Sequence, residues 1–400
     1  MAKVAVLGYG TVGSGIVEVI KTNRELIEKR VGTEVDVKYI LDLREFPGDP
    51  YEELLVHDVQ VIMDDPEVDI VCEAMGGTGA AYQFTKTALS KGKSVCTSNK
   101  ALVAEYGPEL LKLAEENHCN YLFEASCGGG IPIIRPLQTC LLQEQIIALK
   151  GIINGTTNYI LTKMELEGAD FDAVLKDAQT LGYAEANPEA DIEGHDVQRK
   201  IAILSSVAFG NTVYYKDVPT EGVTRISIDD FKYMKQLGAT IKLLGMSRYE
   251  DGKYFAMVAP FVLTKESPLY NVNDVMNAVL VTGNTLGDSM FYGAGAGKLP
   301  TASAVVSDVV ECALNPGRTV ACTWKPEKLE LSDISDAKRR FFVRMTNTNE
   351  EAVKAAFGKV QLLEAVKENE VAFVTEVMTE RVYKDLASAF DVVSMIRMDN

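Results

Sequence analysis

Apolar runs alternate with amphipathic stretches along roughly the first 130 residues of the chain. Val4-Ala5-Val6-Leu7 ends at a glycine and is followed, from about Gly13 to Arg30, by apolar residues at helical spacing. The pattern predicts further strands near Val35–Leu41, Ile70–Glu73, Ser94–Thr97 and Tyr121–Glu124, with helices near Ala80–Lys91 and Pro108–Asn117. Short apolar strands alternating with helices favour an α/β fold with a Rossmann-type doubly wound parallel sheet.

The order of elements changes after about residue 132. Apolar patterning predicts strands near Ile146–Ile153, Tyr254–Pro260 and Val279–Thr282, and helices near Thr157–Glu167, Asp172–Leu181, Asp196–Phe209 and Ile228–Leu237. This mixed order indicates a second, α+β domain over residues 132–300. A helix near Thr301–Leu314 is expected to return to the first domain, which would then comprise residues 1–131 and about 301–320.

The last 63 residues, 338–400, show the order strand, helix, strand, strand, helix, strand. That βαββαβ order is typical of a ferredoxin-like unit. Residues 321–337, which include Pro326 and many charged side chains, are predicted to be a linker.

Composition excludes some classes of protein. The chain has 400 residues and a formal net charge of −17, so it repels phosphate backbones and a nucleic-acid partner is not expected. It lacks both a secretory signal pattern and an apolar run of membrane-spanning length, which predicts a cytoplasmic protein without membrane association. Its seven cysteines form no CxxC pair, and its three histidines have no metal-ligand spacing.

The segment Gly8-Tyr-Gly-Thr-Val-Gly13 matches the GxGxxG pattern of dinucleotide-binding loops. It follows a predicted strand and opens a helix, which is the context that the pattern requires. Gly8 permits the tight turn, Gly10 lets the backbone approach a pyrophosphate, and Gly13 allows close packing of helix on strand. A glycine turn with a purely structural role is the alternative. A dinucleotide cofactor is therefore predicted here, with its pyrophosphate at a helix N-terminus.

The second predicted strand ends in a segment that contains Asp42 and Arg44. An acidic residue at this position usually binds the ribose 2′-hydroxyl of NAD, whereas an arginine accepts the 2′-phosphate of NADP. Both residue types are present, so the choice between NADP and NAD stays open.

Two further segments follow predicted strands of the first sheet. Lys100 comes after the fourth strand, at the end of the sheet where ligands bind, although an exposed lysine without a role is an alternative. Glu124 precedes a run of three glycines, 128–130, that would suit either a hinge or a hard cation held by carbonyl oxygens.

The densest group of polar side chains lies between Gly182 and Lys200. Asp196 and Lys200 are four residues apart and would share a helix face, where they could form a surface ion pair. The functional alternative is a carboxylate cluster for a substrate ammonium group, with Lys200 handling a proton. A glycine-rich loop that contains Gly297 could approach the cofactor or serve as an interdomain turn.

Six segments, taken together and in this order, resemble homoserine dehydrogenase: GYGTVG, TSNKAL, EASCGGGIPII, NGTTNYIL, LGYAEANPEADIEGHDVQRK and YGAGAGKLPTASAVVSD. The resemblance covers about residues 2–314, and it implies that the α+β domain of residues 132–300 serves substrate binding, catalysis and dimerisation. Residues 338–400 resemble the ACT regulatory domain that many members carry. Since no aspartokinase-like region precedes the first strand, the monofunctional type is expected.

The resemblance implies a role for each matching residue. Lys200 is the expected acid/base and Lys100 the residue between cofactor and substrate. The amino-acid pocket would be lined by Gly155, Thr156, Tyr183, Glu185, Asp191 and Asp196. The cofactor would contact Gly8, Gly10, Thr11, Val12, Gly13, Arg44, Lys100, Gly182 and Gly297. A monovalent cation, Na⁺, would be held by Glu124 with the carbonyls of Cys127, Gly129 and Ile131.

The reaction implied is hydride transfer between NAD(P)H and L-aspartate 4-semialdehyde, giving L-homoserine for threonine, methionine and isoleucine synthesis. A homodimer or homotetramer is expected. The loop Met345-Thr-Asn-Thr-Asn349 lacks the glycine that effector-binding ACT domains often carry. Binding of an amino-acid effector and a role in assembly alone are therefore the two alternatives for this domain. Another amino-acid or oxo-acid dehydrogenase, or a non-catalytic NAD(P)-sensing protein, is the alternative.

Overall fold

Residues 2–399 are described by the computed structural model. They form two units, each assembled from separate stretches of chain. The first unit comprises Met1–Glu144, Ala202–Tyr214 and Phe291–Leu329, and the second comprises Gln145–Ile201, Tyr215–Met290 and Glu330–Asn400. No helix among the described residues is both long and apolar enough to cross a membrane.

The helices and strands follow one another along the chain as listed here. The first are β1 (Ala2–Leu7), α1 (Thr11–Thr22), α2 (Arg24–Val31), β2 (Val35–Leu41), β3 (Leu55–Val56), α3 (Val59–Met63), β4 (Val68–Glu73), α4 (Gly79–Ser90), β5 (Ser94–Thr97), α5 (Lys100–Glu116), β6 (Tyr121–Leu122) and α6 (Ile134–Gln138). Next come β7 (Ile146–Ile152), α7 (Gly155–Glu167), α8 (Phe171–Thr180), α9 (Glu189–Ile192), α10 (His195–Phe209), β8 (Asn211–Thr212), α11 (Ile228–Leu237), β9 (Ala239–Glu250), β10 (Lys253–Thr264), β11 (Met276–Gly283) and β12 (Gly287–Ala294). The last are α12 (Lys298–Leu314), β13 (Lys325–Lys328), β14 (Lys338–Arg339), β15 (Phe341–Thr346), α13 (Glu350–Phe357), β16 (Val360–Leu363), β17 (Glu370–Thr375), β18 (Met378–Thr379), α14 (Glu380–Ala387) and β19 (Asp391–Met398).

The sheet of the first unit has the strand order β3-β2-β1-β4-β5-β6, and all its neighbouring pairs are parallel. This order is that of the dinucleotide-binding sheet, in which ligands bind outside the carboxyl ends of the strands. The predicted parallel sheet is confirmed. Helix α12 packs against α1, where a Cβ on Gly15 would lie 2.9 Å from the carbonyl oxygen of Lys298.

The second unit is built on a mixed sheet with the order β12-β11-β7-β9-β10-β19-β15-β17-β16. Strands β9 and β10 form its longest hairpin, paired antiparallel from Ala239 to Thr264. Strand β19 pairs in parallel with β10 through Arg397 and Met398, and antiparallel with β15 on its other side. The C-terminal strands therefore continue the sheet of this unit.

Residues 338–399 contain the predicted strands and helices, with the short strands β14 and β18 added. Their four main strands lie in the order β19-β15-β17-β16, which in chain terms is 4-1-3-2. Buried ion pairs join this segment to α11: Arg344 lies 2.8 Å from Asp230 and also binds Glu370. An ACT-like identity for the segment stays a prediction.

Several predicted boundaries were wrong. Helix α5 begins at Lys100 rather than near Pro108, because Asn99 caps it and the proline is accommodated inside the helix. Strand β6 is only two residues long, and Glu124 begins a 3₁₀ turn instead of ending the strand. The long strand β9 was not predicted, and β12 extends into the predicted glycine-rich loop.

Residues 321–337, which were predicted to be a linker, pack within the first unit at their N-terminal end. Trp324 is 5% exposed, and its indole N–H donates to the Thr212 hydroxyl at 2.9 Å. Its ring lies against Gly107, where a Cβ would come within 2.7 Å. Strand β13 then pairs with β8. This part of residues 321–337 is therefore packed structure.

Candidate active site

The turn between β1 and α1 depends on glycine at two positions. Gly8 has φ +92°, a left-handed conformation that favours glycine. A Cβ on Gly13 would lie 1.8 Å from the carbonyl oxygen of Gly8, so no larger residue fits there. No atom lies within 4 Å of a Cβ placed on Gly10. The backbone at Gly10 thus faces open space at a helix N-terminus, where the partial positive charge suits a pyrophosphate.

A cavity of about 700 Å³ adjoins this turn in the first unit. Such a volume suits a substantial part of a dinucleotide. Its walls come from the segments that follow β1, β2, β3 and β4, at the carboxyl ends of those strands, and from α4. They are lined by Gly8, Gly10, Leu41 to Arg44, His57 to Val59, Ala74 to Gly76, Ala80 and Phe84. The residues present therefore fit the predicted cofactor.

Asp42 and Arg44 form a bidentate ion pair at the edge of this cavity. Arg44 donates from Nε to Asp42 Oδ1 at 3.0 Å and from Nη2 to Oδ2 at 2.9 Å, while Oδ2 also accepts from the Tyr9 N–H. These contacts, the Arg44 side chain first, hold the pKa of Asp42 well below its usual range. The carboxylate is almost covered, whereas the Arg44 side chain is 62% exposed.

Lys100 is the first residue of α5 and lies beside the carboxyl end of β5. The Asn99 side-chain oxygen accepts from the Leu102 N–H at 3.1 Å and so caps the helix. The Asn99 amide donates to the carbonyl oxygen of Gly77 at 2.7 Å, in the loop after β4. The first unit thus brings the segment of Lys100 next to the loop that lines the cofactor cavity.

In the second unit, Lys200 points at a small cluster of polar groups. Its ammonium donates to Asp196 Oδ2 at 2.7 Å and to the carbonyl oxygen of Ile153 at 2.8 Å. The two side chains are 12% and 6% exposed. The predicted pairing of Asp196 with Lys200 is therefore present, and it is largely buried rather than on the solvated surface.

Asn154 joins the carboxylates of this cluster, and sequence reasoning did not single it out. Its amide donates to Asp191 Oδ1 at 2.7 Å and to Asp196 Oδ2 at 2.9 Å. Its side-chain oxygen accepts from the Thr157 N–H at 2.9 Å and caps α7. An asparagine directly before Gly155 in a helix-opening segment was the available signal.

The other residues predicted to line the pocket do not all join this cluster. Thr156 donates its hydroxyl to the carbonyl oxygen of Tyr183 at 2.5 Å, and a Cβ on Gly155 would lie 3.1 Å from the carbonyl oxygen of Val275. Gly182 has φ +77°, next to Tyr183. Glu185 is exposed, and its backbone oxygen accepts from Gln179. The structure brings Asp191, Asp196 and Lys200 into one hydrogen-bonded cluster, and it does not show Glu185 in it.

Glu124 is buried and its carboxylate is occupied by backbone donors. Oε1 accepts from the N–H groups of Ile133 and Ile134, and Oε2 accepts from that of Arg135 at 2.7 Å. The glycine run turns beside it, and Gly129 packs so closely that a Cβ would meet Gly295 O at 2.3 Å. Among the described residues, no group of three His, Cys, Asp or Glu side chains is arranged for a metal.

Gly297 opens α12 in the first unit. It has φ +126° and acts as the N-cap residue of the helix, without a side-chain cap. The predicted glycine-rich loop is thus a helix entry. Thr11 and Val12 are likewise the first two residues of α1, directly behind Gly10.

Two family models match the chain. The model described as homoserine dehydrogenase matches residues 132–310, and the model described as homoserine dehydrogenase, NAD binding domain, matches residues 8–124. The homoserine dehydrogenase of Bacillus subtilis (strain 168) is 44% identical over 311 residues, covering 77% of this chain and 72% of that protein. That of Helicobacter pylori (strain ATCC 700392 / 26695) is 35% identical over 419 residues, covering 99% of each.

Solved structures agree with these matches. A homoserine dehydrogenase from Thiobacillus denitrificans superposes with a TM-score of 0.91 at 35% identity, covering 100% of this chain and 98% of that one. A hyperthermophilic archaeal homoserine dehydrogenase in complex with NADPH superposes with a TM-score of 0.66 at 28% identity, covering 78% and 98%. The resemblance predicted from six motifs is confirmed, and the chain belongs to the homoserine dehydrogenase family.

Proposed function

We propose that this chain reduces L-aspartate 4-semialdehyde to L-homoserine with a nicotinamide cofactor, and catalyses the reverse oxidation. The observation that carries this proposal is the Lys200–Asp196 pair, held in a largely buried polar cluster of a family member. When bound, NAD(P)H supplies the hydride that adds to the aldehyde carbon. The residues of the chain must then bind the amino acid, orient it and move one proton.

Lys200 is the proposed proton donor. As the aldehyde carbon is reduced, negative charge develops on the carbonyl oxygen, and the ammonium stabilises it and gives up a proton to form the alcohol. Asp196 holds the ammonium in place, and the carbonyl oxygen of Ile153 restricts its direction. In the reverse reaction the neutral amine would take the proton from the hydroxyl group of homoserine.

The same cluster supplies groups for the amino-acid end of the substrate. Asp191, tied to Asn154, suits the α-ammonium group, and Glu185 and Tyr183 complete that side of the proposed pocket. The α-carboxylate would be received by backbone N–H groups at the N-terminus of α7, from Gly155 and Thr156. Lys100 would lie between substrate and cofactor.

The cofactor preference we propose is NADP(H) over NAD(H). Asp42 uses both carboxylate oxygens on Tyr9 and Arg44, so it is poorly placed to accept from a ribose hydroxyl. The exposed Arg44 guanidinium can turn towards a 2′-phosphate. Arg44→Ala should lower kcat/KM for NADPH about 10- to 100-fold and change that for NADH less than about 3-fold. Arg30→Ala, on exposed helix α2, is the control, and an equal loss with both cofactors would refute this preference.

The cation site we propose uses backbone oxygens of the glycine turn. Because the Glu124 carboxylate is occupied by three N–H groups, it would brace the loop while the carbonyls of Cys127, Gly129 and Ile131 hold Na⁺. Replacing NaCl with choline chloride at equal ionic strength should lower activity and melting temperature, and KCl should restore less than NaCl. Equal values in all three salts would exclude the site.

Residues 338–400 are proposed to be an ACT-like unit that serves assembly into a homodimer or homotetramer. The 4-1-3-2 strand order supports the first part. Light scattering of the purified chain gives the mass, and calorimetric titration with threonine reports whether an effector binds.

The direct test of the activity is a side-by-side assay of wild type and Lys200→Ala. Wild type should oxidise NADPH only when L-aspartate 4-semialdehyde is added, and the variant should bind NADPH normally yet turn over at least about 10²-fold more slowly. Absence of turnover in wild type would refute the function, and full turnover in the variant would refute the role of Lys200 alone. The alternative of a non-catalytic sensor, or of a dehydrogenase for another amino acid, is not favoured by the relatives described above.

A further inference from the structure

Glu73 is a buried acid that the proposed chemistry does not use. It is the last residue of β4 and is 0% exposed. Its carboxylate accepts from the Met75 N–H at 2.8 Å and from the Thr97 hydroxyl at 2.6 Å. Among the residues described, no lysine or arginine forms a salt bridge with it. The partners that favour its ionised form are Thr97, Met75 and Asn99, all of them neutral.

These partners belong to the two loops that follow β4 and β5. Met75 lies in the Ala74–Gly77 loop, which lines the cofactor cavity. Thr97 ends β5, and its hydroxyl oxygen accepts from the Asn99 N–H at 2.9 Å. Asn99 in turn caps α5, whose first residue is Lys100, and donates to Gly77. Glu73 is thus the shared acceptor beneath the cavity wall and the start of the Lys100 helix.

Ionisation of Glu73 sets the direction of these hydrogen bonds. An ionised carboxylate only accepts, so the Thr97 hydroxyl must donate to it and keeps its lone pairs for the Asn99 N–H. A protonated carboxyl or an amide at position 73 would keep its oxygen on Met75 and point a donor at Thr97. The Thr97 proton would then lose its acceptor, and the link from β4 to Asn99 would reverse or break.

We propose that ionised Glu73 is a positioning residue that holds the Ala74–Gly77 loop and the Lys100 helix start in register, so that its protonation weakens cofactor binding and turnover. The part that concerns turnover rests on the proposed role of Lys100. The part that concerns cofactor binding does not, because Ala74, Met75 and Gly76 line the cavity themselves.

The electrostatic surroundings agree with a group that titrates near neutrality. Burial raises the pKa of Glu73 to about 7, despite the hydrogen bonds from Thr97, Met75 and Asn99. Among the described residues, Tyr121 on β6 is a titratable group coupled to Glu73. Burial raises the pKa of its hydroxyl, which has no hydrogen-bond partner within that part of the chain, well above the usual value. Tyr121 stays neutral in the working range, so it adds no charge to the site.

The direction in which ionised Glu73 changes the stability of the fold distinguishes a positioning role from a purely structural role. Because the folded state raises the pKa of Glu73, the folded protein binds the proton more tightly than the unfolded chain does, and stability falls as pH rises towards and through that pKa. Ionised Glu73 therefore destabilises the fold at pH 8. Removing its charge should raise the melting temperature there while lowering activity.

The test compares Glu73→Gln, Glu73→Asp and the control Glu116→Gln, an exposed acid on α5 that pairs with Lys112. We expect Glu73→Gln at pH 8 to raise the dissociation constant for NADPH about 3- to 10-fold and to lower kcat about 10- to 100-fold. Its melting temperature should be unchanged or higher, and the KM for the aldehyde should change less than about 2-fold. The wild-type loss of NADPH affinity below about pH 7 should be absent from the variant. Glu73→Asp should recover part of kcat, and Glu116→Gln should match wild type.

A second pair of variants keeps the test decisive if Glu73→Gln does not fold. Thr97→Val removes the link, so it should reproduce the losses and lack the pH transition, and Thr97→Ser should keep wild-type values. The proposal is overturned if Glu73→Gln keeps the wild-type NADPH affinity and pH dependence. It is also overturned if melting temperature and activity fall together in these variants and Thr97→Ser does not keep wild-type values. NADPH binding, measured by nicotinamide fluorescence, needs no substrate, so failure of the proposed function would appear separately as inactive wild type.

Discussion

The ammonium group of Lys200 lies 2.7 Å from the carboxylate of Asp196, one helical turn earlier on α10. Surface pairs at this spacing are common and contribute little. Here both side chains are largely buried, the same carboxylate oxygen also accepts from Asn154, and the carbonyl oxygen of Ile153 takes a second proton of the ammonium group. The lysine is therefore held in one direction, as its proposed role of proton donor requires.

Replacing Lys200 with Met should lower kcat about 10³-fold with little change in NADPH affinity, because the carbonyl oxygen loses its proton donor. Lys200→Arg keeps the charge but donates a proton poorly, so it should remain at least about 10²-fold below wild type. Lys163→Met is the matched control, since Lys163 forms an i,i+4 pair with Glu167 on α7. Stopped-flow measurement of single-turnover NADPH oxidation reports the chemical step. A wild-type rate in Lys200→Met would remove Lys200 from the mechanism.

Two glycines of the same turn should respond differently to alanine. Gly13→Ala places a Cβ 1.8 Å from Gly8 O, so it should lower the melting temperature and reduce NADPH affinity about 100-fold or more. Gly10→Ala meets no atom within 4 Å in the protein, so the fold should be stable while the methyl group occupies the space proposed for the pyrophosphate. Calorimetry and NADPH titration measure both. Normal NADPH binding by Gly10→Ala would place the cofactor elsewhere.

Removing the cation from the buried ion pairs of Arg344 should destabilise the second unit. Arg344→Met would leave Asp230 and Glu370 as buried carboxylates without a cation, which should cost about 3–5 kcal/mol of the free energy of unfolding. Lys354→Met, which breaks an exposed pair with Glu350 on α13, should change it by less than about 1 kcal/mol. Urea denaturation gives both values. Similar small changes in the two variants would contradict this reading of the segment.

Acid should weaken the same network. Burial opposes ionisation of Glu370, but the Arg344 guanidinium outweighs it and lowers the pKa of Glu370 below its ordinary value. The stabilising contribution is therefore complete above the pKa of an unfolded glutamate and is lost as pH falls through the lowered folded value. Wild type should lose more stability than Arg344→Met as pH falls below the pKa of an unfolded glutamate. A larger loss of stability in Arg344→Met than in wild type would contradict this prediction.

Local patterns predicted much of the first unit. The bounds of β2 and β5 agree with the structure, and the glycine turn could be interpreted because its context is a strand followed directly by a helix. The start of α5 was predicted eight residues late because Pro108 was taken to begin the helix, whereas the side chain of Asn99 begins it at Lys100. The sequence therefore predicted that Lys100 follows β5, but it misplaced the start of the helix that carries this lysine.

Residues whose role depends on distant neighbours were not predictable in the same way. Glu73 was seen only as the end of a strand, and its importance follows from the adjacency of β4 and β5. Asn154 is 42 residues before the Asp196 that it contacts. Conversely, Glu185 belongs to the same dense polar segment as Asp196 yet is exposed, because it lies in the loop between α8 and α9 whereas Asp196 is on α10.

The most direct measurement follows a deuterium label through the reaction. Wild-type protein is given L-aspartate 4-semialdehyde and NADPH that carries deuterium at the transferable ring position, and the product is analysed by mass spectrometry. The account predicts L-homoserine that has gained one deuterium at its alcohol carbon, formed at a rate that Lys200→Met loses. Absence of homoserine, or homoserine without the label, would contradict it.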